Sequence, residues 1–313
     1  MANKVAVVGA GLVGSGWAIV FARAGLDVAV YDNSQVSLDN ASKIIATNLK
    51  DLKHFDLIDD YSEINTRISI EPLLKNAVED VFYIQESVFE TVDSKRDIFA
   101  QLDAVVTPEV IIGSSSSGIP ASVFTDHVSC RSRALIAHPV NPPYLVPLVE
   151  LVPAPWTNPE VVDQTYDFMK SIKQEPIRIS REVEGFILNR LQGALLNEAW
   201  ALFDEGYASI DDIDKTVAYG LGLRWSFMGP FETIDLNAPE GVADYARRLG
   251  PLYKAIAESR TDPKAWSRNL VARVEEERRG RLPAIDLQSR RAWRDRRLMA
   301  LAAHKAHATR VID

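Results

Sequence analysis

The chain has 313 residues, a single cysteine, 47% hydrophobic residues and a formal net charge of -8 at pH 7. That length supports two domains, each with its own core, while the acid excess argues against a nucleic-acid partner, which needs a local surplus of cations. Cys130 alone allows no internal disulfide, so a reducing cytoplasm is the expected location.

The chain opens with an apolar run from Val5, then Gly9-Ala10-Gly11-Leu12-Val13-Gly14, a helical segment from about Leu12 to Ala24, a second apolar run over Asp27 to Tyr31, and Asp32. This order predicts a βαβ unit that cradles a dinucleotide. Gly9 allows the tight turn, Gly11 the approach of a pyrophosphate, and Gly14 the close packing of helix on strand. The pyrophosphate would meet the free N–H groups at the helix start, and Gly25 suits the helix C-terminus. Asp32 stands 18 positions after Gly14, where a carboxylate accepts both ribose hydroxyls and repels a 2'-phosphate, so the cofactor expected is NAD rather than NADP. The uncharged stretch Val5 to Ala22 also resembles a leader or membrane segment, but Gly9, Gly11, Gly14 and Gly16 make it a poor apolar span. No membrane partner is expected.

A helix follows over Ser37 to about Lys53, and then short β-type runs alternate with helical ones. The runs cover Arg67 to Ile70, Asp80 to Gln85, Val110 to Gly113, Arg133 to Ala137, Leu148 to Val152 and Glu175 to Ile179, with a helical stretch at Asp93 to Leu102. Such alternation predicts an α/β fold, a Rossmann-type doubly wound parallel sheet covered on both faces. From Gly185 through Trp200 only helical periods remain. The expected division is an NAD-binding domain over 1–183 and an all-helical domain over 184–313.

Three strings look unlike packing. Ser114-Ser115-Ser116-Ser117-Gly118 follows a strand, where α/β folds place ligands; its hydroxyls either orient a substrate oxygen or cap the next helix. In His138-Pro139-Val140-Asn141-Pro142-Pro143-Tyr144 the histidine is either structural or a base. Glu150 is embedded in the apolar run Val146 to Val152, and a buried carboxylate needs a partner. His138 and Glu150 lie symmetrically about Tyr144, so a chain reversal there would let them meet as a base and its supporting acid. Asn189, in Glu184-Gly185-Phe186-Ile187-Leu188-Asn189-Arg190, either faces an inter-domain cleft or sits on a solvated helix face.

Together these strings resemble the 3-hydroxyacyl-CoA dehydrogenase superfamily over nearly the whole chain, most closely its lambda-crystallin / L-gulonate 3-dehydrogenase branch. The similar runs are His-Pro-Val-Asn-Pro-Pro-Tyr, Pro-Leu-Val-Glu-Leu-Val and a helix of the form Gly-Phe-(apolar)-Leu-Asn-Arg-Leu-Gln. The resemblance implies NAD-dependent oxidation of a secondary alcohol with His138 and Glu150 as the catalytic pair, Asn189 as a site residue and a catalytic serine within the serine run. Alignment through Ile119-Pro120 favours Ser116, with Ser117 as the alternative. Implied cofactor contacts are Gly9, Gly11, Leu12, Val13, Gly14, Asp32, Glu90 and Lys95; implied substrate contacts are Ser117 and Arg224. Glu90-Thr91 departs from the Glu-Asn often found in the superfamily, which puts contacts to the nicotinamide ribose in question.

Acyl-CoA enzymes carry aromatics where this chain has Pro139-Val140, and they usually lack the arginine of Leu223-Arg224-Trp225. A guanidinium grips a carboxylate through two parallel N–H bonds, so the expected substrate is a small 3-hydroxy carboxylic acid such as L-gulonate. Carnitine or a short 3-hydroxyacyl-CoA is the alternative, and a non-catalytic crystallin-like protein a third possibility. The resemblance also implies a homodimer. No metal site is expected, since His304 and His307 stand three apart without a neighbouring acid or cysteine, and Cys130 lacks the cationic surroundings of a nucleophile.

Overall fold

Valine- and isoleucine-rich runs bounded by turn residues build the sheet of this computed structural model, which describes residues 3–261 and 265–311. In chain order the first part comprises β1 (Lys4–Val8), α1 (Leu12–Arg23), β2 (Asp27–Tyr31), α2 (Gln35–His54), α3 (Tyr61–Thr66), β3 (Ile68–Glu71), α4 (Leu74–Ala77) and β4 (Tyr83–Glu86). It continues with α5 (Val92–Asp103), β5 (Ile111–Ser114), α6 (Ala121–Thr125), β6 (Ala134–Pro139), β7 (Leu148–Pro153), α7 (Pro159–Ser171) and β8 (Glu175–Arg178). The strand order is β3-β2-β1-β4-β5-β6-β7-β8. The chain therefore reverses its direction of travel between β1 and β4, which opens a crevice at their C-terminal ends.

β1 shows why the sheet forms. Val5 and Val7 face one layer with Trp17, Phe21, Ile45 and Leu49 of α1 and α2. Ala6 and Val8 face the other, with Phe99, Leu102 and Phe124 of α5 and α6. A strand covered on both faces is apolar at every position, and burying each large side chain contributes about 1.5–3 kcal/mol.

Two strands depart from the all-parallel expectation, since β8 runs parallel to β7. β7 runs antiparallel to β6, because the eight residues 140–147 between them hold no crossover helix, and a parallel return needs a longer connection. The register pairs His138 with Glu150 directly, so their side chains emerge on one face of the sheet.

The chain forms two compact units, Met1–Arg190 with Ser289–Asp313, and Leu191–Gln288. Helix α8 (Leu188–Asp204) begins in the first and continues in the second. The regular structure of the second unit's described residues is all helical: α9 (Ile210–Thr216), a π-helical turn at Val217–Leu221, α10 (Gly222–Trp225), α11 (Pro230–Leu236), α12 (Val242–Glu258), α13 (Arg268–Arg281) and a 3-10 turn at Ala284–Asp286. Trp200 stacks on Trp266 with ring centroids 4.4 Å apart, and Arg260 bridges Glu198 and Glu205. The last helix, α14 (Leu287–Val311), belongs from Ser289 onward with the first unit, where Met299 is buried in the same core as Trp17. Helical periodicity alone could not reveal that return. No helix among the described residues is long and apolar enough to cross a membrane.

Candidate active site

The glycine turn is built as its spacing requires. Gly9 has φ +110°, and a Cβ there would strike the Ser87 carbonyl; one on Gly14 would overlap the Gly9 carbonyl oxygen and lie 3.1 Å from Val7 Cγ1. Helix α1 starts at Leu12 with Gly11 as a cap that supplies no side-chain acceptor, which leaves its first N–H groups free for an anion. Asp32 ties the cradle together, its Oδ2 accepting from the Ala10 N–H at 2.8 Å and its Oδ1 from the Ser34 N–H at 2.9 Å. Around this turn lies a cleft of about 530 Å³ lined by Gly9, Gly11, Leu12, Val13, Tyr31 and Asp32, with Ser94, Asp97, Ile98 and Gln101 from one face of α5 opposite. Among the described residues its lining includes no lysine or arginine. A dinucleotide without a 2'-phosphate fits that lining.

At the end of β6, His138 Nδ1 lies 2.7 Å from Glu150 Oε2. Both are buried, the glutamate completely. Its other oxygen, Oε1, accepts the backbone N–H groups of Ile187 and Leu188, each at 2.9 Å. These belong to the start of α8, so a helix N-terminus stabilises the charge from the side opposite the imidazole. Gly185 (φ +74°) and Phe186 (φ +51°) both take the left-handed conformation just before, which turns those N–H groups toward the carboxylate. Phe186 carries the strain while fully buried, its ring 5.8 Å from that of His138.

The serine run divides by role. Ser116 is buried, and its Oγ sits 2.8 Å from Glu90 Oε1 and 2.7 Å from the Ile119 carbonyl while accepting the Ile119 N–H at 3.1 Å. A hydroxyl has one proton, so in this structure the Ser116 hydroxyl is engaged within the loop by Glu90 and the Ile119 carbonyl. Ser117 is exposed. Its carbonyl accepts the Asn189 amide at 2.6 Å, so Asn189 faces the serine loop.

Glu90 is the hub of that loop, its Oε1 also accepting the N–H groups of Ser117 at 2.8 Å and Gly118 at 3.2 Å. Partial burial opposes its ionisation, but the Lys95 ammonium and these hydrogen bonds outweigh it and hold its carboxyl below the usual range. The side chain of Lys95, an implied cofactor contact, is 1% exposed. Its Nζ lies 3.1 Å from both oxygens of Glu86 and 3.4 Å from Glu90 Oε2. Glu86, which the sequence reading passed over, accepts from the Ser114 hydroxyl and from the Val88 N–H as well. The signal was available, for Glu86 closes the apolar run Tyr83-Ile84 as Glu150 sits in its own. Thr91 caps α5 by accepting the Ser94 N–H.

In the second unit Arg224 is exposed on α10, directly after the π-helical turn, and has no acidic partner within salt-bridge distance among the described residues. Cys130 is buried, and burial together with Asp103 pushes its thiol up to about 12, which makes it inert.

Fold and cradle together define a dinucleotide-binding α/β protein. The NAD-binding domain model of 3-hydroxyacyl-CoA dehydrogenase matches residues 4–183 and the C-terminal domain model of the same family matches 185–281. The chain is 41% identical over 310 residues to lambda-crystallin of Oryctolagus cuniculus, with 97% of each chain covered. It is 38% identical over 250 residues to L-carnitine dehydrogenase of Streptomyces griseus, covering 80% of this chain and 74% of the relative. A solved NAD+-dependent pyridine-carboxylic acid 5-dehydrogenase superposes with a TM-score of 0.82 at 23% identity, covering 97% of this chain and 98% of that one, which shows a shared fold. The chain belongs to the 3-hydroxyacyl-CoA dehydrogenase family, in its lambda-crystallin branch. It is an NAD-dependent oxidoreductase.

Proposed function

We propose that this protein oxidises the 3-hydroxyl of a small, L-gulonate-like 3-hydroxy carboxylic acid to the 3-oxo acid. The observation that carries this reading is the buried 2.7 Å contact of His138 with Glu150. With Nδ1 donating to Glu150, Nε2 is the free lone pair that accepts the alcohol proton, and the carboxylate stabilises the imidazolium so formed. NAD, held in the cradle, supplies the hydride acceptor. The Ser117 hydroxyl and the second N–H of the Asn189 amide donate to the substrate oxygen as its charge develops.

Arg224, which has no acidic partner within salt-bridge distance among the described residues, holds the substrate carboxylate in this proposal. The similarity to an L-carnitine dehydrogenase keeps a trimethylammonium-bearing 3-hydroxy acid as the second candidate. A homodimer is also part of the proposal, supported by the exposed Tyr219, Phe227 and Phe231 of the second unit.

The test is NADH formation across L-gulonate, 3-hydroxybutyrate, carnitine and 3-hydroxybutyryl-CoA, repeated with Arg224→Met. Turnover of a free 3-hydroxy acid, with KM raised at least about tenfold and kcat little changed in the variant, is expected from loss of a uniform binding contact. Turnover of the thioester alone, or an unchanged KM in Arg224→Met, overturns the carboxylate reading. NADH binding with no turnover of any substrate points to a non-catalytic protein.

A further inference from the structure

A guanidinium withdrawn from water is costly unless a carboxylate offsets the desolvation, yet Arg23, in the last turn of α1, has none. It is partly buried, and among the described residues no acidic group lies within salt-bridge distance of it. Burial holds its pKa below the ordinary arginine range, though the side chain remains charged. What it does hold is main chain: Nη1 donates to the Tyr144 carbonyl at 2.8 Å. Tyr144 belongs to residues 140–147, the loop that joins the strands carrying His138 and Glu150.

The same helix meets that loop a second time. A Cβ on Gly16 would stand 2.7 Å from Pro143 Cδ, so the loop rests directly on the backbone of α1. Tyr144 is buried in one core cluster with Trp17 and Phe21 of α1, while Asn141 of the loop lines the dinucleotide cleft. Helix α1 begins at that cleft with Leu12. Arg23 stands eleven residues further along, about 16 Å down the axis, out of reach of an anion at the glycine turn.

We propose that Arg23 is a positioning residue: its guanidinium fixes the loop 140–147 on the cofactor helix, so that the His138–Glu150 pair and the bound dinucleotide share one frame. The inference rests on the reading of His138 and NAD given above, but the loop contact it explains does not. A planar, permanently charged fork suits the task, because it meets a carbonyl at the end of a long reach in a set orientation. An apolar side chain there would carry no desolvation cost, so retaining the cation trades stability for function. Displacing reacting groups by about 1 Å lowers a rate roughly 10²-fold, so a loosened loop should be felt in hydride transfer before it is felt in folding.

The test uses Arg23→Met and Gly16→Ala in the full chain. Hydrogen exchange is read at the Leu145 and Val146 amides, which both donate to the Pro142 carbonyl, beside the single-turnover rate of NADH formation, the NADH dissociation constant and Tm. In Arg23→Met the two amides should exchange at least about fivefold faster and the single-turnover rate should fall about 10- to 100-fold. NADH affinity should change less than about threefold, and Tm should stay within about 2 °C of wild type or rise. Gly16→Ala keeps Arg23 and pushes the loop off α1 at its other contact, so faster exchange and a rate lowered about tenfold are expected there as well.

Unchanged exchange or an unchanged single-turnover rate in Arg23→Met overturns the proposal, and Gly16→Ala decides on the same two readings should Arg23→Met fail to fold. NADH affinity falling in step with the rate also overturns it, since the helix would then be acting through cofactor binding. If the wild-type protein turns over no 3-hydroxy acid, the functional reading fails, while exchange at Leu145 and Val146 still decides whether Arg23 fixes the loop.

Discussion

Replacing Glu150 by glutamine probes the supported base with almost no change in volume. The glutamine oxygen can keep the two N–H bonds from Ile187 and Leu188, both 2.9 Å long in the native protein. The NH2 group must then face His138 Nδ1, now 2.7 Å from the native carboxylate. The reverse orientation would set donors against two backbone donors. With an NH2 opposite it, Nδ1 has to be the acceptor, so the ring proton moves to Nε2, the atom that should receive the alcohol proton. The variant thus holds the wrong tautomer and loses the anion that stabilises an imidazolium. Loss of general-base catalysis of this kind lowers kcat by roughly 10²- to 10⁴-fold, about 2.7–5.5 kcal/mol in the barrier. The dinucleotide cradle is untouched, so NADH should bind with nearly native affinity by fluorescence. Steady-state NADH formation at saturating substrate is the assay. A Glu150→Gln enzyme with kcat within about threefold of wild type would refute the tautomer argument, because general-base loss predicts far more.

Ser117→Ala should lower kcat by roughly 10²-fold through loss of a donor to the developing charge. Ser116→Ala should instead destabilise the protein by about 1–3 kcal/mol by leaving buried partners unsatisfied; the opposite pattern in kinetics and thermal unfolding would assign the catalytic hydroxyl to Ser116. Gly14→Ala places a methyl onto the Gly9 carbonyl, and calorimetry should show NADH affinity lowered at least about tenfold, as the turn must open to accommodate it. Glu90 has a folded pKa below its ordinary value of 4.5. Its contribution to stability is therefore complete above that value and lost as pH falls through the folded pKa. Urea unfolding should show wild type more stable than Glu90→Gln near pH 7, with the gap closing as the pH falls below the ordinary carboxylate range; a gap independent of pH would contradict the ionised hub.

The parts of this protein that were legible in its sequence are those where one short segment sets the chemistry. Gly9, Gly14 and Asp32 lie within one βαβ unit, and their spacing carries the geometry seen. His138 and Glu150 were also readable, because equal distances on either side of a proline-rich reversal become a register pair in an antiparallel ladder. That same reversal breaks the parallel pattern, a consequence that alternation of strands and helices does not disclose. Ser116 and Ser117 differ by one position in a run of identical residues, and only the direction of each side chain separates the engaged hydroxyl from the exposed one. The Glu86–Lys95–Glu90 cluster joins residues from a strand end, a loop and a helix, and the return of α14 depends on what buries Met299. Contacts of those kinds arise from packing across elements rather than from local pattern.

The account rests on His138 as the proton acceptor. The most direct measurement is NADH formation by His138→Gln with the best 3-hydroxy acid substrate, beside NADH binding by the same preparation. A loss of at least about 10²-fold in kcat with NADH affinity unchanged is what the account predicts; near-native turnover in that variant would contradict it.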